Sequence, residues 1–407
     1  MNIKHCRNCL SKKLINIFSL GNIYYTGKFL KKNIEARRGA INVVLCKSCE
    51  LLQLKNNFDL KYMYGPDYGY RTGINSTMTK HVSKVVKELS NTTKIKKNDF
   101  ALDIASNDGT LLNFYDKKIN TFGVDPLVNK YIKNYKKINF KVSDFFTAKT
   151  VKKKVKNRKF KIITALSVFY DVKNPNKFLL DAESVLHDEG ILLLEFADLG
   201  SIIKYNMFDT FCHEHLEYYS AKVVSKMCIK NNLRIFDMKT NDVNGGSIQF
   251  FICKKNSLYK NNLTSLNKIY KNETKLKLGK KDTYIKFIKR IDHIKNKLLF
   301  FLNSEKRKGK TIHAYGASTK GNVLLQYFGF TNKLISYTAE RNPRKYNLYT
   351  PGTKIKIISE KKSRKMSPDY YLVLPWHFKN EILKREKKTI SNGSKFIFPL
   401  PKLTIKS

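Results

Sequence analysis

Two Cys-x-x-Cys pairs near the start, Cys6-Arg-Asn-Cys9 and Cys46-Lys-Ser-Cys49, constrain this chain more than any other feature. Each spacing sets two thiols on one tight turn, and two such turns can close a tetrahedral site with metal–sulfur distances of about 2.3 Å. Four thiolates leave no coordination position open, so the ion implied is a structural Zn2+. Neither pair stands at the strand-to-helix turn of a thioredoxin-like redox site. The three other cysteines are isolated, which suits reduced thiols and a metal rather than a secreted disulfide framework.

Length implies two or three domains, since 407 residues exceed one comfortable core. Four stretches separate by pattern. Residues 1–60 hold the cysteine pairs and strand-like runs such as AINVVLC, a zinc-binding domain. Over 61–255, apolar runs (FALDIAS, TFGVDP, FKIITALS, GILLLEFADL) alternate with helical segments, which predicts a doubly wound α/β sheet. Residues 256–309 are rich in Lys and Asn and end in a helical stretch with Ile, Phe and Leu at helical spacing, a connector. Over 310–407, KTIHAYGASTKGNVLLQYFG, LISYTAE and DYYLVLPW predict a second, smaller Rossmann-like α/β unit.

The segment from Ala101 to Thr110 reads as a strand, a polar turn and then a helix over LLNFYDKK. Ala105 and Gly109 let a ligand approach the backbone, with Asp103, Asn107 and Asp108 around them. A second strand ends at Asp125, whose carboxylate suits the two hydroxyls of a ribose. Asp144 and Phe145 offer a carboxylate and a ring for adenine, although Asp144 reads equally as a surface loop acid. No GxGxxG is present, so S-adenosylmethionine (SAM) is favoured over NAD.

In Phe211-Cys-His-Glu-His-Leu-Glu-Tyr-Tyr219, His213, Glu214 and His215 place two imidazoles and a carboxylate together. General base chemistry is one reading. A metal site lacking the i, i+4 histidine spacing and a plain structural pair are the others. Tyr315-Gly316-Ala-Ser318-Thr-Lys320-Gly-Asn322 reads as strand, turn and helix start, a cradle for a diphosphate, without the spacing of an ATP-hydrolysing loop.

These four motifs, in this order, resemble the nucleotide-sugar C-methyltransferases of the tetronitrose carbon-3 type over nearly the whole chain. The resemblance implies a zinc domain, a class I SAM domain and a C-terminal Rossmann-like domain. It implies an NDP-4-keto-deoxyhexose substrate held between the two α/β units, and methylation of a carbon beside the ketone through an enolate. SAM contacts then fall on Asp103, Ala105, Asn107, Asp108, Gly109, Asp125 and Asp144. The base falls on His215, with Glu214 beside it as a substrate or orienting contact, and Tyr70, matching an aromatic segment before the SAM domain, is the candidate for an enolate-stabilising phenol.

Three positions depart from the family. Cys212 replaces a tyrosine, Asp171 stands where a histidine is frequent, and Asn244-Gly-Gly-Ser-Ile-Gln249 replaces HGGSxR, which points to a different acceptor shape. A methyltransferase of the same fold acting on oxygen is the nearest rival.

The excess of 79 Lys and Arg over 32 Asp and Glu, a net charge of +47, raises the possibility of a zinc-containing nucleic-acid binder. The lysines are spread evenly among Asn and Ile, as AT-biased codons produce, so no nucleic-acid partner is expected. No apolar run reaches 18 residues and no signal-peptide core is present, so no membrane partner is expected either. The expectation is a cytoplasmic monomer or weak homo-oligomer.

Overall fold

The computed structural model describes residues 2–32, 34, 36–65 and 68–407. Three sheets follow one another along the chain. The first is formed by β1 (Leu14–Tyr24), β2 (Arg38–Cys46) and β3 (Leu52–Leu54), all antiparallel. Its fourth strand comes from much later in the chain.

The central sheet contains β4 (Phe100–Ile104), β5 (Asn120–Val124), β6 (Phe140–Val142), β7 (Phe160–Leu166) and β8 (Leu186–Ala197). The chain then contributes β9 (Glu217–Tyr218) to the first sheet, where Leu52 faces Tyr218 and Gln53 faces Glu217. It returns as β10 (Leu233–Asn241) and β11 (Ser247–Lys254), giving the order β10-β11-β8-β7-β4-β5-β6. Only β11 runs antiparallel to its neighbours, inserted between β8 and β10. Runs such as ILLLEFA in β8 are buried throughout, as a sheet covered on both faces requires. The helix Ser76–Thr93 covers one face with Val82, Val85, Val86 and Leu89 at helical spacing, its N-terminus capped by Asn75.

The third sheet has β12 (Ile312–Tyr315), β13 (Tyr337–Glu340), β14 (Lys356–Ser359), β15 (Tyr370–Val373), β16 (Lys395–Phe398) and β17 (Thr404–Lys406) in the order β14-β13-β12-β15-β16-β17. It is parallel except for β17. The fold is therefore α/β with two Rossmann-like sheets and an N-terminal cysteine-bearing sheet. The helix Lys281–Arg307 buries Tyr284, Phe287, Ile291, Ile294, Leu298 and Leu302 along one stripe. Those residues belong to one apolar cluster running from Ile41 and Val43 of the first sheet through Phe211 to Leu372 and Phe396 of the third. The first and third sheets thus share a core.

One local expectation is corrected. LLNFYDKK is not a helix but a single 3-10 turn, Leu112–Phe114, after which Tyr115 is extended. The Asp116 carboxylate accepts the Lys118 N–H at 2.8 Å, and this Asx turn ends the helical path. Among the described residues no helix is long and apolar enough to cross a membrane.

Candidate active site

The two cysteine pairs fold as matching knuckles. Leu10 N–H donates to Cys6 O at 3.0 Å and Glu50 N–H to Cys46 O at 2.9 Å, with Leu10 and Glu50 both at positive φ, 61° and 66°. All four Sγ atoms lie within 4.8 Å of one another, with Cys6 to Cys49 at 3.6 Å and Cys9 to Cys46 at 3.5 Å. The edges of a zinc–thiolate tetrahedron are about 3.8 Å, so the four thiols fit a tetrahedral ion. Buried Arg7, inside the first knuckle, donates to Leu54 O and Asn56 O and pairs with Glu217 of β9 at 3.5 Å. That contact ties the thiol cluster to the strand leaving the His-Glu-His segment.

At the carboxyl end of β4, Ala105, Asn107 and Gly109 alternate at positive φ (59°, 50° and 73°). At Gly109 a Cβ would meet Ile138 Cδ1 at 2.8 Å, so glycine is required twice over. Asp125, ending β5, accepts N–H groups from Asn107 at 2.9 Å and Leu127 at 2.6 Å. Burial raises its carboxyl to about 6 against those two bonds. Asp103 accepts from Thr164 Oγ1 at 2.6 Å, and burial pushes it up to about 7. Asp108 accepts from Arg71 Nε at 2.9 Å, Gly73 N–H at 3.1 Å and Thr110 Oγ1 at 2.6 Å, while Asn107 Oδ1 accepts from Thr72 N–H at 3.0 Å. The segment 70–73 is thus clipped onto the turn. Tyr70 lies on this clip, 44% exposed, its carbonyl facing Asn107 Nδ2 at 3.4 Å. Asp144 and Phe145 stand after β6 and are exposed.

The His-Glu-His segment runs from the 3-10 turn Phe208–Thr210 to β9. Its three polar side chains face different surroundings. His213 packs between Tyr25 and Phe58, ring centroids 4.4 and 4.8 Å away, and shares a 3.1 Å hydrogen bond with Gly39 O. Burial lowers it to about 4. Glu214 accepts from Thr26 Oγ1 at 3.3 Å, and burial raises its carboxyl. His215 Nδ1 lies 2.7 Å from Thr210 O. A carbonyl only accepts, so Nδ1 carries the hydrogen and Nε2 holds the free lone pair. The ring centroid is 4.1 Å from that of Tyr170. Burial, with a smaller push from the Lys320 charge, takes His215 down to about 3 against the Thr210 bond. Cys212 is buried beside it, and Asp171 accepts from Tyr64 Oη at 2.6 Å through Oδ2 while its Oδ1 has no hydrogen-bond partner among the described residues. Burial raises both groups well above their ordinary values.

On the C-terminal side, Tyr315 points into its own domain, hydrogen-bonding Glu386 and Arg385, each at 2.7 Å. Gly316, φ 84°, lies against Pro375, whose Cδ a Cβ would meet at 2.7 Å. Ser318 Oγ accepts the Gly321 N–H and caps the helix Thr319–Phe328. Asn322 Nδ2 donates to Thr26 O at 2.6 Å. Lys320 Nζ donates to Asn244 O at 2.9 Å, joining this helix to the Asn-Gly-Gly turn before β11. Gln249 donates to Glu195 at 2.6 Å, and Glu195 also holds His81 at 2.7 Å. The residues singled out for a diphosphate therefore divide between helix capping, interdomain contacts and the surroundings of His215.

Two family descriptions match the chain: a methyltransferase domain over residues 74–237 and a C-methyltransferase C-terminal domain over residues 242–401. The chain is 25% identical over 404 residues to the C-methyltransferase NovU of Streptomyces niveus, covering 98% of this chain and 96% of NovU. The chain is a SAM-dependent C-methyltransferase. Similar solved structures include a SAM-dependent methyltransferase from Clostridium acetobutylicum, 14% identical over 43% of this chain and 92% of that one, with a TM-score of 0.35. The plantazolicin methyltransferase BamL, in complex with a triazolic analogue and SAH, is 13% identical over 44% of this chain and 86% of its own, with a TM-score of 0.36.

Other features of this C-methyltransferase escape sequence reasoning. A cavity of about 310 Å³ lies beside the Asn107–Gly109 turn, lined by Phe29, Tyr68, Arg71, Tyr131, Arg344 and Lys345 among others. Its walls come from all three parts of the chain. Lys345 sits 4.5 Å over the Phe29 ring and donates to Ala317 O at 2.7 Å. These cations are indistinguishable in sequence from the lysines and arginines scattered everywhere else. Tyr64 and Tyr170 likewise carry no spacing that would link them to Asp171 and His215.

Proposed function

We propose that the enzyme methylates the carbon beside the ketone of an NDP-4-keto-deoxyhexose, for a modified sugar of a surface polysaccharide or natural product. The observation that carries this reading is His215, a neutral imidazole whose Nδ1–H is pinned to Thr210 O and whose Nε2 is left with its lone pair. A carbon beside a ketone becomes nucleophilic only after losing a proton, and an imidazole fixed in one tautomer is suited to take it. SAM supplies an electrophilic methyl when bound. Asp125 and the Asn107–Gly109 turn suit its ribose and backbone approach, Asp103 its positive charge, and Asp144 with Phe145 its adenine.

The basic, aromatic-lined cavity supports the nucleotide part of the substrate. Arg71, Arg344 and Lys345 suit a diphosphate, and the rings of Phe29, Tyr68 and Tyr131 suit a base. Residues 1–60 act as a structural Zn2+ domain through Cys6, Cys9, Cys46 and Cys49. The stretches 61–255 and 310–407 act as the cofactor and nucleotide-sugar units, with 256–309 between them.

The test is deuterium wash-in at that carbon across a panel of NDP-4-keto-sugars, followed by mass spectrometry with labelled SAM. Carbon methylation requires exchange, whereas methylation of oxygen does not. His215→Ala is expected to lower exchange and turnover by roughly 10²- to 10⁴-fold, the usual contribution of a positioned base, with SAM affinity intact. Undiminished turnover in that variant refutes the base.

A further inference from the structure

An enolate forming at His215 needs a group that stabilises its oxygen, and the side chains around this imidazole, the Tyr170 phenol among them, offer at best a neutral donor. Glu214 and Asp171 are carboxyls, and Cys212 is a buried thiol. Lys320 is the exception. It stands in the first turn of the helix Thr319–Phe328, and that turn reaches the His-Glu-His segment. Gly27 sits between the two, where a Cβ would be 2.6 Å from Glu214 Oε1 and 3.8 Å from Thr319 Oγ1. Among the described residues, the Lys320 ammonium makes one hydrogen bond, to Asn244 O at 2.9 Å, which leaves two N–H bonds for another acceptor.

The ammonium also acts electrostatically on this segment. After burial, its charge is a further cause of the lowering of His215 and His377, and Asp209 supports the ammonium against the desolvation that lowers Lys320 itself. Asp209 keeps one oxygen on Trp376 Nε1 at 2.8 Å while the other has no hydrogen-bond partner. A part-buried cation with a counter-carboxylate is poised for charge that appears only during reaction, and in a low-dielectric site such a donor acts strongly. The diphosphate has other cations available in the cavity of Arg71, Arg344 and Lys345.

We propose that Lys320 is a catalytic residue that donates a hydrogen bond to the ketone oxygen as it becomes an enolate, a role that rests on the keto-sugar reading above. The C–H bond breaks, its proton goes to His215 Nε2, its electron pair forms the C=C bond, and the carbonyl π pair moves to the oxygen facing Lys320. The C=C pair then bonds the methyl carbon while the C–S bond breaks towards sulfur. The ketone re-forms, S-adenosylhomocysteine leaves, and the imidazolium loses its proton to solvent.

Lys320→Met and Lys320→Arg test this by deuterium wash-in at saturating keto-sugar, with the affinity for free thymidine and uridine diphosphates measured alongside. Lys320→Met is expected to slow exchange by roughly 10²- to 10³-fold, as removal of an oxyanion donor does, and Lys320→Arg to restore part of it. Nucleoside diphosphate affinity should stay within about twofold, and the acid limb of the exchange profile should move to higher pH because the cation no longer depresses the imidazole. Unaltered exchange, or lost diphosphate affinity with exchange retained, overturns the role. If melting and SAM affinity show Lys320→Met to be misfolded, Lys320→Arg decides: a folded variant with unchanged exchange and shifted diphosphate affinity also overturns it. Wild-type protein that exchanges no keto-sugar overturns the enolate chemistry and this role together, whereas exchange unaffected by the substitutions overturns only Lys320.

Discussion

Asp125 and Glu340 occupy corresponding places in the two Rossmann-like sheets, yet the turns they hold have been put to different uses. Each acid ends the strand next to the first strand of its sheet. Each grips the turn leaving that first strand: Asp125 through Asn107 N–H at 2.9 Å, Glu340 through Ala317 N–H at 2.7 Å. Each also accepts N–H groups just beyond itself, from Leu127 in one case and from Arg341 and Asn342 in the other. Beyond this shared grip they diverge. The central turn alternates positive φ and leads only into a short 3-10 turn at the carboxyl end of β4, the edge at which open α/β sheets bind ligands. The C-terminal turn leads into a capped helix whose Asn322 and Gln326 bond Thr26 O and the backbone of Tyr24. One turn is clipped by segment 70–73 at the carboxyl end of its sheet, and the other carries a strut between domains.

The sharpest way to break this contrast is to remove each acid in turn. Asp125→Ala should weaken SAM binding by on the order of 10- to 100-fold, matching about 1.5–3 kcal/mol for hydrogen bonds to a charged group. Glu340→Ala should leave SAM affinity within about twofold and lower the melting temperature instead, since it frees three backbone N–H groups. Calorimetric titration with SAM alongside thermal melting separates the two. Equal losses of SAM affinity in both variants would show that the second turn also binds cofactor.

A smaller effect follows from pH. Burial holds Asp103 at about 7 and Asp125 at about 6, so in the free enzyme both take up protons in a range where an unfolded chain does not. Raised carboxyl values mean that their contribution favours the folded state below pH 4 and is lost as pH rises from about 4 to about 7. SAM brings positive charge and favours the ionised forms. Its affinity, and the melting-point increase it causes, should therefore grow between pH 5.5 and 8, with protons released on binding below pH 7. Titration in two buffers of different ionisation enthalpy reads the proton count. A flat response would remove the charge from the account of the central turn.

What the sequence reveals of these two turns depends on how local the determinants are. The cysteine knuckles and the acid after the second strand are set by spacing within a few residues, and both are legible. The helix expected over LLNFYDKK is not there: one 3-10 turn ends at Phe114, Tyr115 is already extended, and an Asx turn at Asp116 follows. Ser318 looks like a phosphate donor until the structure shows its hydroxyl already engaged as a helix cap. The setting of His215 is harder still. Thr210 is near in sequence, but Tyr170 comes from a distant turn of the same unit and Lys320 from the C-terminal one, and only the folded chain brings them together. The basic cavity is hidden for a different reason. In a chain with 79 lysines and arginines, four that converge leave no trace in composition.

The smallest expected effect is also the most specific to the strut. Asn322→Ala removes the bond to Thr26 O and leaves a buried carbonyl unsatisfied, a cost of about 1–3 kcal/mol. Thr26 is also the residue whose hydroxyl donates to Glu214, so loosening it disturbs the segment that carries His215. The expected result is a melting temperature lower by a few degrees, unchanged SAM affinity, and a turnover loss smaller than that of His215→Ala. If Asn322→Ala weakens SAM binding while turnover at saturating SAM is normal, then the C-terminal helix supports the cofactor turn instead of the base, and the division of labour between the two sheets is wrong.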